Sequence, residues 1–116
     1  MISIIHYLEN KDVDSNYKLK PYVTDNKPVV VLCQSNFCGH CITAKPAYEE
    51  IASKRNDISW CTIQSEDGQL KEAVKSWYPQ IKGIPCYLGF NKYGQFLKIY
   101  SGDRSANSLS TFADSL

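Results

Sequence analysis

Two cysteines separated by two residues, Cys38 and Cys41 in the stretch "SNFCGHC", concentrate the reactive chemistry of this sequence. Such a pair can supply half of a zinc site, close to a redox disulfide, or arise by chance. The other thiols, Cys33, Cys61 and Cys86, each stand alone inside apolar stretches, and the two histidines are His6 and His40. Zinc normally takes four ligands, commonly from two such pairs. Only one pair is present, and Cys33, Cys86, His6 or His40 would complete a metal site only outside any motif spacing. A lone Cys-x-x-Cys pair near alternating strands and helices reads instead as a redox centre.

The surroundings of the pair say what chemistry it can do. "PVVVLCQS" (28–35) is a continuous β-branched run bounded by turn residues, as in a strand buried on both faces. From 38 to 55 the period changes, and Cys41, Ile42, Ala44, Ala47, Tyr48, Ile51 and Ala52 fall on roughly one side of a helix, which Pro46 should kink. Cys38 therefore opens a helix, where unpaired amide donors and the helix dipole favour negative charge. Thiolate is the nucleophile of disulfide exchange. Cys38 is the expected nucleophile, and Cys41, one turn on and more sheltered, the expected resolving cysteine. Gly39 would let the backbone turn tightly and leave room for a substrate sulfur. His40, when protonated, would further favour the Cys38 thiolate; a lower thiol pKa stabilises the reduced form and makes the disulfide a better oxidant.

The rest of the chain must position this pair. "ISIIHY" (2–7) reads as a short strand, with His6 a plain strand residue. Residues 9–27 carry Tyr17, Leu19, Tyr22 and Val23 at the spacing of a weak amphipathic helix broken by Pro21. "DISWCTIQ" (57–64) is the next strand, and "DGQLKEAVKSWY" (67–78) a helix with Leu70, Ala73, Val74 and Trp77 on one face. "CYLGFN" and "QFLKIYSG" flank "NKYG", an antiparallel hairpin around Gly94. Ser105 is a suitable N-cap for a last helix bearing Leu109, Phe112 and Leu116. The order predicts an α/β fold: a central mixed sheet, parallel at its start and antiparallel in its final hairpin, flanked by helices.

The 116 residues, with 43% hydrophobic and 22% charged content, are expected to form a single domain, 1–116, with its own core. A net charge of +1 from scattered basic residues favours neither nucleic acid nor an anionic membrane. Trp60, Trp77 and the eight tyrosines read as core and rim. No stretch approaches the ~18 apolar residues of a membrane span. "MISIIHYLEN" lacks the basic start of a signal peptide, and "FADSL" is no retention signal. The expected compartment is the cytoplasm, or the virion for a virally encoded chain, and the odd count of five cysteines fits a reducing setting.

"FCGHCITAKPAYEEIAS" resembles the active-site segment of thioredoxin-fold oxidoreductases, and "CGHC" is the form typical of protein disulfide isomerase catalytic domains. "IKGIPCYLGFNKYGQF" resembles the family's second hallmark, a Gly-Ile-Pro before the antiparallel hairpin. The resemblance covers about residues 29–116. It implies a thioredoxin-like fold with a cis peptide at Ile84–Pro85 facing the cysteines, and backbone there that pairs with a substrate strand. Phe37 takes the place of the family's usual Trp; on physical grounds it reads equally as a rim residue packing on the helix. The resemblance implies protein substrates bearing thiols or disulfides, and recycling by a reductase, an oxidase or glutathione. It implies a monomer, with no cofactor and no resident metal.

Two departures stand out. The family normally has a buried acid six residues before the first active-site cysteine, which moves protons to and from the buried one; here that position is Leu32. The accompanying basic residue on the following strand is replaced near Cys61. Loss of the proton acceptor should slow deprotonation of Cys41 and hence release of mixed disulfides. Cys86, directly after the expected cis-proline, is either a buried strand residue or a third thiol near the site, while Cys33 and Cys61 read as core. Two functional readings follow: a thiol–disulfide oxidoreductase working through Cys38 and Cys41, or a non-catalytic binding or structural protein with a vestigial or regulatory disulfide.

Overall fold

The structure, a computed structural model, describes residues 5–79 and 83–116. In chain order it holds strand β1 (His6–Tyr7), helix α1 (Pro21–Thr24), strand β2 (Val29–Gln34), helix α2 (Gly39–Lys54), strand β3 (Ser59–Gln64), helix α3 (Lys71–Trp77), strands β4 (Cys86–Phe90) and β5 (Phe96–Tyr100), and helix α4 (Ala106–Asp114). The strands form one sheet in the order β1-β3-β2-β4-β5. β3 runs parallel to β1 and β2, whereas β4 runs antiparallel to β2 and β5. The mixed sheet expected from the order of elements is present.

β2 is buried along its whole length because both faces of the sheet are covered. Alternate side chains of a strand point to opposite faces. Val30 and Leu32 pack with Tyr48, Ile51 and Ala52 of α2 and with Leu109, Phe112 and Ala113 of α4. Val29, Val31 and Cys33 pack on the other face with Leu8, Leu19, Val23 and with Ala73 and Trp77 of α3. A two-faced core accounts for the apolar run Val29–Cys33, since an unpaired polar residue on either face would be left dry; the buried Gln34 that ends β2 donates its Nε2–H to Thr62 Oγ1 at 2.6 Å. The buried Tyr48 hydroxyl ties α2 to the sheet, lying 2.9 Å from the Val30 carbonyl oxygen and 2.6 Å from that of Cys61. Trp60 and Trp77 are both core residues.

Several local expectations are corrected. Residues 9–27 are not an amphipathic helix. They form a 3-10 turn at Asn10–Asp12, a bridge between Val13 and Leu19, and the four residues of α1. Pro21 starts α1 rather than breaking a longer helix, because a proline at the first helical position loses no intrahelical bond. Buried Asp12 fixes this segment, accepting from the Glu9 N–H at 2.8 Å and the Tyr22 hydroxyl at 2.5 Å. The helix expected over 67–78 begins only at Lys71, because Gly68 and Leu70 adopt φ of 69° and 59°. Asn10 Oδ1 accepts the Leu70 N–H at 2.7 Å and holds that turn while Leu70 itself is buried. Ile42, expected to face inward, is 54% exposed. The strand expected over 2–7 is described at His6–Tyr7, and His6 is more than a plain strand residue, its Nε2 lying 3.3 Å from the carboxylate of buried Asp12; 2–4 lie outside the described residues.

The β4–β5 hairpin turns at Gly94, whose φ is 82°. Its carbonyl oxygen accepts the Leu19 N–H at 3.0 Å, so the hairpin tip is clamped to the N-terminal segment. A Cβ at Gly94 would overlap the Leu19 carbonyl oxygen. Gly94→Ala is therefore expected to lower the unfolding free energy by about 1–3 kcal/mol, read from urea denaturation. An unchanged urea midpoint would contradict this packing.

Candidate active site

β2 runs into the loop 35–38, and α2 starts immediately behind it, so the end of the most buried strand delivers the cysteine pair. Glu66, just past β3, holds that loop. Ser35 donates its hydroxyl to Glu66 Oε2 at 2.6 Å, and the Asn36 N–H lies 3.2 Å from both carboxylate oxygens. The Phe37 N–H donates to Ser35 Oγ at 3.1 Å, and the Ser35 carbonyl oxygen accepts the Cys38 N–H at 3.2 Å.

Cys38 is the N-cap of α2, and its Sγ accepts the backbone N–H of Cys41 at 3.2 Å. Sulfur thus does what a Ser or Asp oxygen usually does at this position, satisfying a first-turn donor. Cys38 is half-buried, Cys41 fully buried. The Cys38 thiol also lies 3.7 Å from the carbonyl oxygen of Ile84, and the Ile84–Pro85 peptide is cis. The two separated motifs therefore meet at one sulfur.

The two thiols differ in acidity. Cys38 is held below the ordinary thiol pKa, first by the side-chain hydrogen bond from Cys41, then, against some burial, by the backbone amides of Cys41 and His40 and the charge of Arg104. Cys41 is pushed up to about 11, chiefly by burial and then by Cys38. Of the two, Cys38 is the more acidic thiol, and Cys41 keeps its proton at neutral pH. The arrangement can attack a disulfide through Cys38 and resolve the mixed disulfide through Cys41.

The remaining expected residues are placed as follows. Gly39 lies in the first turn of α2 without positive φ, so it does not serve a tight turn; a Cβ there would meet no heavy atom within 4 Å, and the position is open. His40 is exposed, and its contribution at Cys38 comes through the backbone amide. Phe37 is 88% exposed, which excludes the reading that packs it on the helix. Leu32 is buried and pairs with Thr62 on β3 and Tyr87 on β4. Thr62, beside Cys61, thus occupies the strand position opposite it. The Tyr87 hydroxyl on that side is buried with no hydrogen-bond partner among the described residues.

Arg104 and Glu66 were not legible from spacing. Arg104 sits in the polar segment between β5 and α4, where Asp103 accepts from the hydroxyls of Ser105 at 2.5 Å and Ser108 at 2.7 Å and so fixes the turn. Arg104 shares with Gly83, Ile84, Pro85 and Cys86 the lining of a cavity of about 260 Å³. Among the described residues no group of three or more His, Cys, Asp or Glu side chains is placed to hold a metal ion.

Comparison with known proteins agrees with this geometry. The thioredoxin family model matches residues 10–115. A thioredoxin-like protein of Invertebrate iridescent virus 6 is 30% identical over 102 residues, covering 77% of this chain and 72% of that protein. The thioredoxin of Mycoplasmoides gallisepticum is 31% identical over 80 residues, covering 69% of this chain and 76% of the relative. A protein disulfide-isomerase of Aspergillus oryzae is 32% identical over 98 residues, 83% of this chain but only 18% of that longer protein. Thioredoxin f from spinach chloroplast superposes with a TM-score of 0.72 at 18% identity, covering 98% of this chain and 94% of that one. Relatives named thioredoxin and protein disulfide-isomerase place the chain among the thiol–disulfide oxidoreductases. Within that class it belongs to the thioredoxin family.

The pH dependence of alkylation checks the site electrostatics. Alkylation of Cys38 by iodoacetamide should rise at lower pH than that of an ordinary thiol, and that of Cys41 only toward about 11. Arg104→Met removes a cation that favours both thiolates, so both midpoints should move up. Unmoved midpoints would show that the Arg104 charge does not reach the pair.

Proposed function

We propose that this chain, acting as a single domain over 1–116, catalyses thiol–disulfide exchange on protein substrates and works on the oxidising or isomerising side. The observation that carries the reading is the sulfur of Cys38 capping α2 beside the Ile84 carbonyl oxygen. In the oxidising direction a substrate thiolate attacks Cys38 of the Cys38–Cys41 disulfide, and Cys41 leaves and takes up a proton. A second substrate thiolate then attacks the substrate sulfur of the mixed disulfide, and Cys38 leaves as a thiolate. Two substrate thiols become one disulfide, and the protein gains the two electrons. Stabilising Cys38 as a thiolate makes it the better leaving group in the last step.

The other residues have supporting roles. The backbone at Ile84 and Pro85 offers a strand-like edge to the substrate, exposed Phe37 an apolar contact, Gly39 an open approach, and His40 its amide to the Cys38 sulfur. Glutathione, an oxidase or a reductase returns the pair to its starting state. Among the described residues no helix is long and apolar enough to cross a membrane. The place of action is the cytoplasm or a virion; the iridescent-virus relative, with most of both chains aligned, supports the virion.

Leu32 favours one competing reading, a slow or inactive binding protein, because nothing acidic at that position can take the Cys41 proton. Kinetics separate the two. Cys38→Ser should reduce exchange with a disulfide-bonded peptide to the uncatalysed background, while Cys41→Ser, attacking that peptide disulfide through Cys38, should accumulate a mixed disulfide on Cys38. Full exchange activity in Cys38→Ser would overturn the proposal. Leu32→Glu should speed release of mixed disulfides by roughly a hundredfold, the lower end of what a positioned general base provides. Release no faster than in the parent chain would mean that Cys41 deprotonation is not the slow step.

A further inference from the structure

A second pair of thiols lies one strand deeper than the first. Cys33 on β2 and Cys86 on β4 are direct partners in the antiparallel register, and both are buried in the same apolar cluster on the α3 face of the sheet. Directly opposed residues of an antiparallel pair have Cα atoms about 4.5–5.5 Å apart. That range lies inside the ~4.4–6.8 Å a disulfide spans. Each thiol shifts the acidity of the other, Cys86 raising Cys33 and Cys33 lowering Cys86. Each also lines a cavity: Cys33 one of about 350 Å³ bounded by Ile63, Val74 and Ile84, and Cys86 the cavity of about 260 Å³ that holds Pro85 and Arg104. Ile84 lines both, and its carbonyl oxygen is the group beside Cys38.

We propose that Cys33 and Cys86 form a second redox centre, a dithiol that closes to a cross-strand disulfide at the expense of a small-molecule disulfide such as oxidised glutathione. Cys86 is the attacking thiol. It begins β4, so its approach requires opening only at the strand end, and the Cys33 thiol favours its thiolate by hydrogen bonding. The Cys86 thiolate attacks one sulfur of the small disulfide, releasing one thiolate and leaving a mixed disulfide on Cys86. Cys33 loses its proton, attacks the Cys86 sulfur and expels the second thiolate. The Cys33–Cys86 bond forms, the two cysteines lose two hydrogens in all, and the small disulfide becomes two thiols. With both pairs closed the chain can accept four electrons, and its second disulfide staples β2 to β4 directly beneath the Ile84–Pro85 edge. The inference rests on the proposed function only in placing the entry of disulfides at that edge.

The test uses the intact wild-type chain, equilibrated under native conditions with glutathione buffers of increasing oxidised fraction, acid-quenched, alkylated, digested and mapped by mass spectrometry. The reduced protein presents five free cysteines. The proposal expects two linked peptides, Cys38–Cys41 and Cys33–Cys86, appearing at separate buffer ratios, with Cys61 alone still alkylated. Cys33→Ala and Cys86→Ala chains should each lose the second link and keep the first. Cys33 and Cys86 both alkylated in the most oxidising buffer, or linked to Cys38 or Cys41 instead, would overturn it. If Cys33–Cys86 forms while Cys38–Cys41 stays reduced, the second centre stands and the proposed function falls. If only Cys38–Cys41 forms, the reverse holds.

Discussion

The site depends on one hydrogen bond, from the backbone N–H of Cys41 to the sulfur of Cys38 at 3.2 Å. A helix must satisfy its first N–H groups, and here the acceptor is the atom proposed to react. When that sulfur is a thiolate the bond is charge-assisted; when the sulfur is tied into a disulfide the charge is gone and the bond weakens. The start of α2 therefore favours the reduced state, and does so at the sulfur proposed to attack. The Glu66 grip on Ser35 and Asn36, the Ser35 carbonyl behind Cys38 and the dry strand leading into the loop all keep the sulfur in the capping position.

Strand alternation then divides the chemistry between two faces. Leu32 and its partner Tyr87 face α2 and α4, on the side where the family's buried acid is expected, and this chain puts an apolar side chain at that position. Cys33 and Cys86, the next residue pair along the same two strands, face α3. One step of register thus replaces a proton acceptor on one face and sets two thiols together on the other. The antiparallel β4–β5 hairpin accounts for Arg104: it returns the chain to the end of the sheet that carries Ile84 and Pro85, where a cation favours both active-site thiolates.

Much of this was readable in the residues because it rests on local rules. The unbroken Val29–Cys33 run, the inward spacing of Ala44, Tyr48, Ile51 and Ala52, the turn at Gly94 and the Ser105 cap each determine their own element. The meeting of Cys38 with Ile84 was legible only through the family resemblance, since no spacing rule joins residues 46 apart. What escaped was tertiary. Asn10 bonds Leu70 and delays α3; Asp12 gathers the N-terminal segment without a helix; Arg104 and Glu66 sit in polar loops whose composition carries no signal. Even the Cys33–Cys86 opposition needed the register, because a slip of one residue would send the two thiols to opposite faces.

The reduction potential of the Cys38–Cys41 pair, measured by equilibration with glutathione buffers, tests the central claim most directly. Thioredoxin lies near ~−270 mV and protein disulfide isomerase near ~−180 mV, a separation of about 4 kcal/mol in the stability of the disulfide. A Cys38 thiolate stabilised at the start of α2 puts this pair close to the less negative figure. A value at or below the thioredoxin figure would show that the helix start does not favour the reduced form here, and would contradict the account.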